Sequence, residues 1–93
     1  MKKQIWKYVL NKTSDTRINI PCGHEILTVK MQGESLCLWV LVNPKATKEE
    51  EIFEAFATGE GISFGIGTSR EYVATFFING GAYVGHVFRY TGM

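Results

Sequence analysis

Alternation with a period of two runs through most of this chain, and it constrains the fold more than any other feature. Side chains that alternate between apolar and polar suit strands, whereas helices need apolar positions spaced about 3.6 apart. In "QIWKYVL" (residues 4–10), Ile5, Lys7 and Val9 fall on one side and Trp6, Tyr8 and Leu10 on the other. "TRINI" (16–20) sets Ile18 and Ile20 inward against Arg17 and Asn19, and Pro21 then stops the run. "EILTVKMQ" sets Ile26, Thr28 and Lys30 against Leu27, Val29 and Met31, and "GES" turns it into "LCLWVLVN" as a hairpin. The Asn79-Gly80 pair between "EYVATFFI" and "AYVGHVFRY" is the strongest short hairpin signal in the chain.

Only "KATKEEE", after Pro44, has helical propensity, and it is too short for more than a turn or two. "EIFEAFATG" fits a helix through Phe53 and Phe56, or a strand through Phe53, Ala55 and Ala57. Without a cap or staple, the strand is preferred. These segments predict one all-β domain over residues 1–93: a small antiparallel barrel or two-layer sandwich of about seven strands, with at most one short helix.

Ninety-three residues allow one thin core, hiding roughly 60–65% of the unfolded surface. Ten basic side chains against nine acidic ones give a net charge of +1, without the basic excess that phosphate neutralisation requires, so nucleic acid is not the expected partner. The longest apolar run, "LCLWVLV" (36–42), falls far short of the ~20 residues of a membrane helix. Lys7 interrupts the first apolar stretch and no small-residue cleavage site follows, which reads as a cytosolic chain starting at Met1. Cys22 and Cys37 with His24 and His86 lack the spacing of a structural zinc site, and inert thiols are expected.

Both sides of "LCLWVLV" are apolar, with Leu36, Leu38, Val40 and Val42 opposite Cys37, Trp39 and Leu41. The last hairpin is similar: Tyr72, Ala74, Phe76 and Ile78 oppose Val73, Thr75 and Phe77. Strands apolar on both faces need two covers, and a chain poor in helix has few to offer. Self-association into a homo-oligomer is the expectation that follows.

The segment "GEGISFGIGTSR" (59–70) joins four glycines to hydroxyls and an arginine. It is not a dinucleotide fingerprint, because Phe64 stands where the third glycine should fall and no helix follows. It lacks the Gly-Lys-Ser/Thr of a Walker loop as well. Backbone N–H groups in such a loop can form an anion nest, and an arginine can grip phosphate with two N–H groups. Phe64, Gly65, Gly67, Thr68, Ser69 and Arg70 are therefore the candidate ligand-binding residues, with Arg17 as a second cation. The plainer reading is a strand connection whose glycines relax its turns. His86, between Val84 and Phe88 on one strand face, has no nucleophile elbow near it and reads as a hydrogen-bonded structural residue. "EEE" (49–51) reads as a solvated turn. Trp6, Trp39, Tyr72, Tyr83 and Tyr90 read as packing, since no basic stripe interleaves them.

The order of "IWKY" (5–8), Pro21-x-Gly23-x-x-Ile26-Leu27, "CLWVLVNP" (37–44), "ATG" (57–59), "EYVATFF" and "GHVFRY" (85–90) resembles a family of small phage proteins of unassigned function. Members of that family often carry a histidine and a proline after the "TG", where this chain has Glu60 and Gly61, so no role of that histidine carries over. A short, near-neutral, phage-like chain with no reactive cluster is expected to work by occupying something, without enzymatic activity or cofactor. The leading expectation is an inhibitor of host antiviral defence in the host cytoplasm, sequestering a nucleotide-type signal as a homo-oligomer. The alternatives are an interaction module that blocks a host protein, or a minor virion or assembly component.

Overall fold

The computed structural model describes residues 1–92. Seven strands appear in chain order: β1 (Gln4–Leu10), β2 (Thr16–Pro21), β3 (Glu25–Gln32), β4 (Ser35–Val42), β5 (Lys48–Ala57), β6 (Arg70–Ile78) and β7 (Tyr83–Tyr90). They form two antiparallel sheets, one ordered β1-β4-β3 and the other β2-β5-β7-β6. The sheets share one core and are not closed into a barrel. Leu36, Leu38, Val40 and Val42 of β4 meet Ile20, Phe53, Ala55, Phe76 and Val87 of the larger sheet there. β3 and β6, an edge strand of each sheet, lie beside one another.

No described residue is α-helical, and the single helical element is a 3-10 turn at Asn79–Gly81. The helical propensity of "KATKEEE" yields to pairing, because Lys48, Glu49, Glu50 and Glu51 lie opposite Pro21, Ile20, Asn19 and Ile18 of β2. That register sends Glu51, Phe53 and Ala55 inward, and tertiary burial outweighs a weak local preference. The last hairpin closes at Ile78 and Tyr83 through a four-residue loop, 79–82. Asn79, Gly80 and Gly81 all take positive φ (52°, 65° and 97°), which explains the Asn-Gly-Gly run there.

Two interruptions correct the uniform alternation expected of β3 and β6. The register of β3 against β4 shifts between Ile26 and Thr28, and that of β6 against β7 shifts between Tyr72 and Ala74. The extra residues, Leu27 and Val73, reverse the parity on either side of them. In β3, Ile26, Val29 and Met31 therefore pack on the core, while Leu27, Thr28 and Lys30 are exposed. In β6, Tyr72 joins Thr75 and Phe77 on the outer side, while Ala74, Phe76 and Ile78 turn inward.

The second apolar face of β4 is covered from within the chain only in part, at Cys37. Trp39 and Leu41 stay part-exposed, and Ile5 and Val9 of β1 beside this face are 62% and 59% exposed. Lys7 of β1 donates from Nζ to Oε1 of Gln32 on β3 at 2.9 Å, so the bond crosses β4 on the outer side. Beneath it Cys37 keeps only 1% of its surface exposed, and Lys30 lies 5.9 Å from the ring centre of Trp39. Long polar side chains thus supply the cover with their stems while their heads stay wet.

Candidate functional site

The outer side of β5, β7 and β6 gathers aromatic side chains. Register places Phe56 beside His86, Glu54 and Tyr72 on either side of Phe88, Thr75 beside His86, and Phe77 beside Val84. The Phe88 ring meets Phe56 edge-on at 6.0 Å and Tyr72 edge-on at 5.7 Å, the arrangement aromatic quadrupoles favour. Those contacts half-bury Phe56 and Phe88, whereas Tyr72 and Phe77 stay 57% and 60% exposed.

Arg70 fastens the glycine-rich segment to this face. Its Nε donates to Glu54 Oε1 at 2.6 Å and its Nη2 to Oε2 at 3.4 Å, reaching across β7. Its Nη1 donates to the Ser63 carbonyl at 2.6 Å. Rings of Phe64, Phe56 and Tyr90 surround the guanidinium, with centroids at 5.0, 5.7 and 5.7 Å. The Glu54 hydrogen bond, above all, raises the pKa of Arg70, so it stays charged. A phosphate at Arg70 would have to displace a carboxylate already held in a fork.

The remaining loop candidates sit around this clamp. Phe64 covers Arg70 and is itself 65% exposed. Gly65 and Thr68 close a turn, the Thr68 N–H donating to the Gly65 carbonyl at 3.1 Å, with Gly67 at φ 79° inside it. Ser69 accepts the Thr91 N–H at 2.9 Å, which anchors the loop's end. The turn carries Ile66 at its tip, fully exposed. Arg17 stands apart. It lies on β2, the opposite edge of the sheet, paired with Glu50 at 3.1 Å, roughly 14 Å from β6 by ordinary strand spacing. The structure thus brings Phe64 and Arg70 together and leaves Arg17 outside the group.

His86 is hydrogen-bonded, as its place in the sequence predicts, but sequence reasoning missed the chain of partners that holds it on the same face. His86 holds Thr58 Oγ1 at 2.7 Å through Nε2 and Thr75 Oγ1 at 2.9 Å through Nδ1, and Thr75 in turn meets the Tyr72 hydroxyl at 2.7 Å. In a neutral ring one nitrogen donates and the other accepts, and hydroxyls can rotate to serve either tautomer. The chain orients Tyr72 and immobilises His86. Alternation alone puts His86 and Phe88 on one face, but it does not show that Thr58, from beyond β5, reaches His86.

An all-β domain with one aromatic sheet face, rimmed by a pinned loop, is the class this architecture defines. The chain belongs to a family described as a domain of unknown function (DUF7352), whose model matches residues 1–92. No curated protein and no solved structure matches it.

Proposed function

We propose that this chain is a non-enzymatic phage protein that captures a partner protein on the outer face of β5, β7 and β6. The carrying observation is the exposure of Phe64, Tyr72 and Phe77 on the same side of the sheet as rings already packed on one another. Aromatic anchors at low conformational cost, set in a rigid sheet, are what protein interfaces use at their centres. The pairing of Arg70 with Glu54 favours this reading over capture of a nucleotide, because the arginine expected to grip phosphate is already engaged. The resemblance to small phage proteins supports a host protein as the target, and a block of host defence as the purpose.

The test places a photo-crosslinking phenylalanine analogue at position 77, or at position 19 on the far edge as control, in infected cells. A discrete adduct with one host protein from position 77, lost in Tyr72→Glu, is the expected result. Equal labelling from both positions overturns the proposal. So does a rise in melting temperature with cyclic or ADP-ribose-type nucleotides that Arg70→Ala abolishes, which would restore the nucleotide reading. An adduct only between two copies of the chain replaces the host partner with self-association.

A further inference from the structure

On the inner side of the larger sheet, beyond the apolar core, lies a second group of polar residues. Glu49 and Glu51 of β5, Glu71 of β6 and Arg89 of β7 line a notch of about 340 Å³ with Gly23, His24 and Ile26. Arg89 is already the cation of one half of it. Its Nη1 donates to Glu51 Oε2 at 2.8 Å and its Nη2 approaches Glu71 Oε2 at 3.5 Å. The hydrogen bond to Glu51 is the chief reason its pKa is raised.

The other half is mostly acceptors, its one donor among the described residues being the weak thiol of Cys22 beside Glu49. The Nδ1 of His24 lies 2.9 Å from the Pro21 carbonyl, which can only accept, so the hydrogen of a neutral ring sits on Nδ1. Nε2 then presents a lone pair, and it faces Glu51 Oε1 at 3.9 Å with no hydrogen bond among the described residues. Both side chains are deeply buried, 7% and 10% exposed. No buried side-chain nitrogen or oxygen among the described residues is sealed from solvent without a partner, so the unbonded Nε2 opens into the notch. Three carboxylates against one guanidinium leave the lining short of positive charge, and two oriented acceptors converge on the same space.

We propose that this notch binds the cationic head of an amine or guanidine ligand, whose N–H groups donate to His24 Nε2 and Glu51 Oε1 while Glu49 closes the rim. Distance separates this occupant from a metal ion. Two ligands of a tetrahedral zinc stand roughly 3.4 Å apart, whereas two acceptors sharing one nitrogen donor stand roughly 4 to 5 Å apart. The observed 3.9 Å lies nearer the second, and no three ligating side chains gather in metal-holding geometry among the described residues. Arg89 shows that the same carboxylate already accepts a guanidinium from the opposite side.

The experiment titrates the intact chain with butylguanidine, spermidine and capped arginine amide, following the His24 ring nitrogens by NMR and the affinity by calorimetry. Binding is expected to move the His24 Nε2 resonance and leave that of His86 in place. Glu49→Gln should weaken it about tenfold, as loss of a charged acceptor does. His24→Gln should weaken it at least as much, with the amide spectrum showing an intact fold. Tighter binding of spermidine assigns the notch to free polyamines, and tighter binding of the capped amide assigns it to a side chain of a partner. An unmoved His24 at millimolar amine overturns the proposal, as does an equal response to tetramethylammonium, which has no N–H to donate. Tyr72→Glu should change nothing here, so this site and the aromatic face fail or stand separately.

Discussion

The ring of Phe76 on β6 packs against Gly85, the residue directly opposite it on β7, and fills the space any Cβ there would need. Both residues are buried, so the ring has no open side to retreat to. Gly85→Ala should therefore cost about 1–3 kcal/mol by overpacking. Chemical denaturation measures it, and pairing the substitution with Phe76→Leu should recover part of the loss, the sign of a direct contact.

Arg70 and Glu54 hold the 58–69 segment against the sheet. Arg70→Ala should lower stability by about 1–3 kcal/mol, because it leaves a largely buried carboxylate without its donor. Hydrogen exchange should show amides of the loop, among them Thr68, losing protection, while β3 and β4 keep theirs. Arg70→Lys should restore little, since an ammonium cannot serve Glu54 and the Ser63 carbonyl in the same fork.

Cys22 is exposed and Cys37 lies under the Lys7–Gln32 bond. A thiol reagent should therefore label one cysteine per folded chain. In Lys7→Ala with Gln32→Ala it should label both, with the circular dichroism spectrum unchanged. Immediate double labelling of the unaltered protein would show that the cover is not maintained in solution.

Burial raises the Tyr8 phenol above its ordinary value of 10.0, so the folded chain holds this proton more tightly than the unfolded chain does. Its contribution is full below pH 10.0 and falls as pH climbs from there through the raised folded value. Tyr8→Phe should flatten the decline in stability above that pH and leave neutral-pH stability nearly unchanged.

Much of the strand content was legible because alternation is a local signal. Ile18 and Ile20 point inward as their spacing predicts, residues 48–57 form a strand, and both predicted hairpins are present. The parity of β3 and β6 was not legible past Leu27 and Val73, since a bulge changes which face a residue occupies without changing its neighbours in sequence. The candidate site was half legible. Phe64 and Arg70 belong together, but the partner of Arg70 is a carboxylate on a strand two places away in the sheet.

By itself the sequence determined that this chain makes strands, where most of them begin and end, and which turns need glycine. Period-two burial and positive φ are properties of a few consecutive residues. Tertiary structure alone decided that β1 pairs with β4, β2 with β5 and β5 with β7. Those pairings oppose Glu54 to Arg70 across β7 and set His24 against Glu51. They join residues far apart in the chain, and only the shared burial of two sheets selects them from the alternatives that local preference leaves equal.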